Sequence, residues 1–299
     1  MKLPDLDELL ALRGAARSLR LPTHAPARAL LLGSHRSTHR GRGLEFEEVR
    51  PYAAGDDPRS IDWRVTARRG RVHTKLFREE RERPVWLLVD LNAAMFFGSR
   101  VQLKSMVAVR AAALLAWIAV LGGDRVGAVI GNSHSIRVLA PRSREAGVLP
   151  ILNTLVDLQP RAPGAETGEE LRRALRTLTP MVHPGSLVFA VSDFGRIEAT
   201  DQGLWSGTAA HSECRWMWIT DALEQHGLPD GRYRAGRPDQ VVPIDGAAIR
   251  PQWLKAWSAR ESCIRSCARA LRIELLQLDT AQEAASGLTA SMHSSKAVA

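Results

Sequence analysis

Three apolar runs, each closing on an aspartate, constrain this chain more than any other feature. Residues 85–89 (VWLLV) lead into Asp90, residues 186–192 (SLVFAVS) into Asp193, and residues 216–220 (WMWIT) into Asp221. A short run that is apolar at every position predicts a strand buried on both faces, the condition of a parallel sheet covered by helices. The intervening sequence supplies those helices. Residues 101–121 form a long apolar stretch stopped by Gly122-Gly123, and helical patterns follow over 144–158, 169–178 and 253–271. Residues 125–130 and 135–139, joined through Asn132-Ser133, predict a hairpin, while 240–244 and 273–278 predict further strands. Alternating strands and helices of this kind specify an α/β fold with a mostly parallel sheet.

At 299 residues and 45% apolar content the chain can bury a full core. The longest apolar run, 107–121, carries Arg110 near its start, which leaves about a dozen unbroken residues, short of the ~20 needed to cross a bilayer. It is therefore expected to be a core helix. The opening MKLPDLDELL is too acidic for a signal sequence, and three cysteines, Cys214, Cys263 and Cys267, make no disulfide framework. A reducing cytoplasm is the expected location. Cys263 and Cys267 share a helix face without a second thiol pair, a poor zinc site. His35 and His39 are also four apart, but among Gly and Arg they read as a surface pair.

A net charge of +9 raises the question of nucleic acid, because clustered cations release counterions from phosphates. Acidic and basic residues are interleaved, however, and the bases are overwhelmingly Arg, which favours planar carboxylate partners. Nucleic acid is an unexpected partner on this distribution. Upstream of the sheet, residues 5–20 predict an amphipathic helix and 22–43 an irregular loop. Residues 44–52 predict an edge strand stopped at Pro51. Asp57-Pro58 predicts a helix start, with one turn over 58–63 presenting Ile61 and Trp63 to the core. Residues 68–82 then read as a hairpin-like extension turning at Arg69-Gly70. The tail from 281 lacks apolar periodicity and is expected to carry no packed structure.

The charged segment carries a resemblance. The pattern R-x-Y-x-x-G-D-D-x-R-x-I-D-W-x-x-x-A-R, filled by Arg50, Tyr52, Gly55, Asp56, Asp57, Arg59, Ile61, Asp62, Trp63, Ala67 and Arg68, is similar to the signature of the domain of unknown function 58 family. GGDRVGAVIG, the Ser192-Asp193-Phe194 triplet and ITDALEQHGLPDG are further landmarks, so the resemblance covers about residues 33–280. It implies a von Willebrand factor A-like, Rossmann-like central parallel sheet flanked by helices, with a β-rich N-terminal extension. The implied organisation is a helix and loop over 1–32, the extension over 33–83, the A-like domain over 84–280 and a mobile tail over 281–299.

The resemblance also implies a metal-ion-dependent adhesion site for Mg²⁺ or Mn²⁺ in a degenerate form. Asp90, Asn92, Thr167 and Asp193 fall on its ligand positions, Asn92 offering a carbonyl oxygen, whereas Ala94 stands where a second Ser would. It further implies a non-enzymatic adaptor that works with MoxR-type AAA+ ATPases and their client proteins. The residues agree with a non-enzymatic role: GGDRVG lacks the Lys-Ser/Thr pair of a phosphate-binding loop, and no nucleophile-base order appears. In the signature, Arg50, Asp56, Asp57, Arg59, Asp62, Arg64 and Arg68 are expected to interlock as charge pairs, with Trp63 as an apolar anchor, or to form a docking surface. Two readings of other classes stay open: a metal-dependent hydrolase using Asp90, Asp193 and Asp221, and a nucleic-acid binder through the Arg-rich N-terminal segment.

Overall fold

The run that ends in Asp90 is a strand, Pro84–Asp90, buried from Val85 onward, and the main sheet extends from both of its edges. The computed structural model describes residues 2–21, 44–53, 56, 58–79, 82–164, 168–237 and 240–294. In chain order the elements are α1 (Leu6–Ala11), α2 (Arg13–Ala16), β1 (Leu44–Pro51), α3 (Trp63–Arg69), β2 (His73–Glu79) and β3 (Pro84–Asp90). There follow α4 (Lys104–Leu121), β4 (Arg125–Gly131), β5 (Ile136–Arg142), α5 (Glu145–Leu158), α6 (Glu169–Leu178), β6 (Leu187–Ser192) and α7 (Gln202–Ala209). The chain closes with β7 (Glu213–Thr220), α8 (Ala222–His226), β8 (Arg232–Arg237), β9 (Gln240–Asp245), α9 (Gly246–Ala270), β10 (Glu274–Asp279) and α10 (Ala284–Ser294).

Two compact units result, residues 22–82 in one and 1–21 with 83–299 in the other. The larger unit is a mixed α/β body around a six-stranded sheet of order β10-β7-β6-β3-β4-β5. Its neighbours are parallel except for the β4–β5 edge hairpin. Winding proceeds outward from β3 in one direction and from β6 in the other, so the reversal of strand order lies between these two strands. Side chains alternate across the sheet. Val85, Leu87 and Val89 pack with α1, α4, α5 and α10 on one face. Trp86 and Leu88 pack with α6, α7 and the end of α9 on the other.

The helix α4 is apolar on all sides and is buried over 83% of its length, as expected of a core helix, although its length and composition alone would suffice to cross a membrane. The N-terminal helices pack against it, and Trp117 donates its indole N–H to the Leu9 carbonyl at 3.0 Å. Three expectations need correction. The tail is not unstructured through 294: α10 packs on β10 and α4, with Leu288 fully buried. Its apolar residues are small and widely spaced, which hides the helical period. The strand at 240–244 has a partner that was not anticipated, β8, in a separate two-stranded sheet, and α9 begins at Gly246, capped by Asp245, well before 253.

The third correction concerns the smaller unit. Here β1 and β2 pair antiparallel, but the only turn at 58–63 is a 3₁₀ turn at Pro58–Ser60, and Trp63 opens α3 with 69% of its surface exposed. Asp62 is the helix cap, accepting from the Arg64 and Val65 amides at 2.9 and 3.1 Å. With most of its ring exposed, Trp63 is no core anchor. Arg69 belongs to the helix, which ends at Gly70 in a left-handed conformation (φ 68°). The boundary expected at 32/33 and the pair His35 and His39 lie outside the described residues.

Candidate functional site

Strands β3 and β6 place Asp90 and Asp193 next to each other at the carboxyl edge of the sheet, where strand order reverses. In an open α/β sheet this is where a crevice forms. Asp90 is 1% exposed and accepts three hydrogen bonds from the protein itself. The Asn92 amide donates to Oδ1 at 3.2 Å, and Asn92 Nδ2 and Ser192 Oγ donate to Oδ2 at 2.9 and 2.8 Å. Burial and the neighbouring Asp193 charge outweigh these donors and push the Asp90 carboxyl up to about 7.

Asp193 is just as buried but has the opposite character. Lys104, the first residue of α4, donates from Nζ to Asp193 Oδ2 at 2.5 Å and to Glu224 Oε1 at 2.8 Å. Arg260 lies 3.5 Å from the same Asp193 oxygen and donates to the Asp193 carbonyl at 2.8 Å. Burial works against the Asp193 charge, yet the Lys104 and Arg260 cations hold its carboxyl below the ordinary range. Burial likewise opposes the Lys104 charge, and Asp193 and Glu224 overcome it and raise the ammonium. The next residue, Phe194, has φ 50° and stacks on Trp216 at 4.7 Å. Its fixed ring holds a backbone conformation that is strained for a residue with a side chain.

Asp221 is buried elsewhere on the edge, tying three segments together. It accepts from the Leu223 amide at 2.9 Å, the Ser99 amide at 2.9 Å and Thr280 Oγ1 at 2.5 Å. Burial raises and these donors lower its carboxyl, with the net shift downward.

The metal ligands implied by the resemblance do not fit a divalent ion. Asn92 Oδ1, the expected carbonyl ligand, accepts from the Ala94 and Met95 amides at 2.8 and 3.3 Å and so caps a short turn. Ala94 offers no oxygen, and the Lys104 ammonium sits against Asp193. Thr167 lies outside the described residues. Among the described residues no group of three or more His, Cys, Asp or Glu is arranged to hold a metal.

Beside these carboxylates opens a cleft of about 510 Å³, with Phe96, Phe97, Lys104, Asp193, Arg196 and Arg260 in its wall. Glu224, Trp253 and Arg260 also border a neighbouring hollow of about 390 Å³ that includes Trp257, so the two share a wall. Trp257 stacks on Trp218 at 5.4 Å, and Trp253 donates to the Glu224 carbonyl at 3.0 Å. Arg196 is exposed, while Glu224 Oε2 and Arg260 Nε are buried without a hydrogen-bond partner among the described residues. Lys104, Glu224, Trp253 and Arg260 were not singled out in the sequence. A signal existed for Lys104: a lysine heading a helix that is apolar but for Ser105 and Arg110 calls for a counter-charge if its end is buried.

In the signature segment, Arg50 pairs with Asp56 at 2.7 Å, and Asp56 also accepts from the Ala53 amide at 2.9 Å. The Ala53 amide and the Arg50 guanidinium hold the Asp56 carboxyl below its ordinary range. Tyr52 donates its hydroxyl to the Asp56 carbonyl at 3.1 Å. These contacts knit the small unit internally. Arg59, Trp63 and Arg68 are exposed, and Gly55 and Asp57 lie outside the described residues.

A family model described as "Protein of unknown function DUF58" matches residues 48–233. The uncharacterized protein Rv1480 of Mycobacterium tuberculosis (strain ATCC 25618 / H37Rv) is 33% identical over 190 residues, as is the uncharacterized protein Mb1516 of Mycobacterium bovis. The match covers 64% of this chain and 59% of each relative, so the chain spans about three-fifths of their length. Among solved structures, the conserved hypothetical protein BatB from Bacteroides thetaiotaomicron is similar over 72% of this chain and 98% of its own, with a TM-score of 0.42 at 16% identity. An aerotolerance-related membrane protein from Bacteroides fragilis NCTC 9343 is similar over 62% and 99%, with a TM-score of 0.36 at 14% identity.

Proposed function

The chain belongs to the DUF58 family of proteins of unknown function, and from that premise we propose that it is a non-enzymatic protein-interaction module that receives a partner polypeptide in the aromatic cleft at its strand tips. The observation that carries this reading is the state of the three strand-end carboxylates. Asp90, Asp193 and Asp221 are each engaged by donors from the protein itself. What stays open beside them is a wall of Phe96, Phe97, Trp253 and Trp257 with the cations of Arg196 and Arg260. Rings flanked by arginine are the usual make-up of a docking hot spot. A hydrolase needs a carboxylate that reaches its substrate or a metal, and Asp90, Asp193 and Asp221 are all buried.

We take the body as von Willebrand factor A-like, a reading supported by the reversal of strand order between β3 and β6 and by the antiparallel edge strand β5. The partner class that the signature resemblance suggests is a MoxR-type AAA+ ATPase or its client. The unpaired thiols favour a reducing, cytoplasmic setting. The experiment is co-purification of the full chain from native cells, comparing wild type with Arg196→Glu. Recovery of an AAA+ ATPase by wild type, reduced about tenfold by the charge reversal, supports the reading. Equal recovery by both, or turnover of a phosphoester in the presence of Mg²⁺, would sink it.

A further inference from the structure

We infer that the Lys104 ammonium is a built-in cation at the strand-tip site, holding by charge the place a divalent ion would take between Asp193 and Glu224, so that the site is complete without metal. Three observations carry this. The first is position. Lys104 Nζ lies 2.5 Å from Asp193 Oδ2 and 2.8 Å from Glu224 Oε1, with the lysine side chain only 2% exposed. It bridges two carboxylates from separate segments, as a coordinated ion would, and in doing so joins the end of β6 to α8.

The second is charge balance. Two carboxylates, Asp193 and Glu224, face two cations, Lys104 and Arg260, the latter 3.5 and 3.6 Å from the respective carboxylates. A divalent ion added to this group would meet two positive charges at close range in a desolvated pocket, where repulsion is only weakly screened. The third is the donor set. A hard cation of the Mg²⁺ or Mn²⁺ type needs about six oxygen ligands. Asn92 Oδ1 already accepts two amide hydrogens, and the Asp90 oxygens accept three donors. The ammonium is also fixed in place: the Lys104 amide donates to the Phe97 carbonyl at 2.7 Å, and its head group lies 5.7 Å from the Phe97 ring centre. The inference is independent of what docks in the cleft, because it concerns the wall and not the occupant.

The test is a titration of the full chain with Mn²⁺, read by the loss of the free-ion electron paramagnetic resonance signal, for wild type, Lys104→Ala and Lys104→Ala/Asp193→Asn. Wild type is expected to take up no stoichiometric Mn²⁺ up to about 1 mM. Lys104→Ala removes the cation, leaves both carboxylates and opens space, and is expected to bind one equivalent at least about tenfold more tightly than wild type. The double variant loses that gain. One equivalent bound by wild type overturns the inference, and so does a folded Lys104→Ala that gains nothing. If Lys104→Ala folds only when Mn²⁺ is supplied, the ion is replacing the ammonium and the inference stands. Should it not fold under either condition, the wild-type titration decides alone.

Discussion

Lys104 and Asp193, 89 residues apart in the chain, meet at 2.5 Å with each side chain only 2% exposed. The pair fastens the first residue of the central helix α4 to the end of strand β6. Neither charge would be tolerated alone at that depth, because taking an ion out of water costs several kcal/mol unless a partner restores the interaction.

Asp193→Asn should therefore be strongly destabilising. It keeps the shape and removes the counter-charge nearest Lys104, and breaking a buried pair in this way typically costs about 3–5 kcal/mol. Adding Lys104→Met to the same chain removes the stranded ammonium and should recover part of the loss. Urea unfolding of the three chains measures both steps. A single variant within about 0.5 kcal/mol of wild type would mean that the pair contributes little.

Asp90 makes stability depend on pH. Its carboxyl is pushed up to about 7 by burial and by the Asp193 charge. Between the unfolded value near 4 and about 7, the folded protein holds a proton that the unfolded chain has released. Stability from this group is therefore fully present below the unfolded pKa and is lost as pH rises toward about 7. Across about pH 5 to 8 the loss is on the order of 3 kcal/mol. In Asp90→Asn that component is absent, whatever the variant's absolute stability. Unfolding free energies at several pH values give the test: parallel wild-type and variant profiles would rule out a raised Asp90.

Much of this architecture is written in local pattern, and the site is not. The strands ending in Asp90, Asp193 and Asp221 are legible because a doubly covered parallel strand must be apolar at nearly every position. The hairpin β4–β5 and the helices α5 and α6 follow from turn residues and period, and α4 from an apolar run too long for a strand that stops at Gly122-Gly123. Helix α10 was hidden because its packing uses Ala284 and Leu288 among small polar residues, too few apolar positions to show a period. Trp63 misled because burial is a property of where a helix start points, which composition does not encode. At the site, carboxylate identity was readable but engagement was not. Whether Asn92 Oδ1 faces a ligand or the amides of Ala94 and Met95 depends on a backbone turn, and the Lys104 contact joins segments far apart in sequence.

The three thiols should be ordered by burial. Cys214 is 7% exposed, and burial pushes its thiol up to about 11. Cys267 is 2% exposed, whereas Cys263 is only partly buried, with its thiol raised first by burial and then by Cys267. Since the thiolate is the reacting species, native alkylation near neutral pH should be slow throughout and should reach Cys263 first. Peptide mass spectrometry after timed iodoacetamide treatment reads the order. Native labelling of Cys214 as fast as in urea would contradict its burial.

Trp63→Ala should separate stability from recognition. The side chain is 69% exposed at the start of α3, and the helix is held instead by Asp62, whose carboxylate caps the Arg64 and Val65 amides. Truncating an exposed ring removes little buried area, so the unfolding midpoint should correspond to a change within about 0.5 kcal/mol. Asp62→Ala, by contrast, removes the cap and should cost about 1 kcal/mol. An exposed tryptophan inside an Arg-rich segment is also the kind of anchor that partners use. If the signature contributes to docking, Trp63→Ala weakens capture of the partner while its melting curve overlays that of wild type. A large loss of stability would show that the ring is buried in solution, and an unchanged affinity would confine docking to the strand-tip cleft.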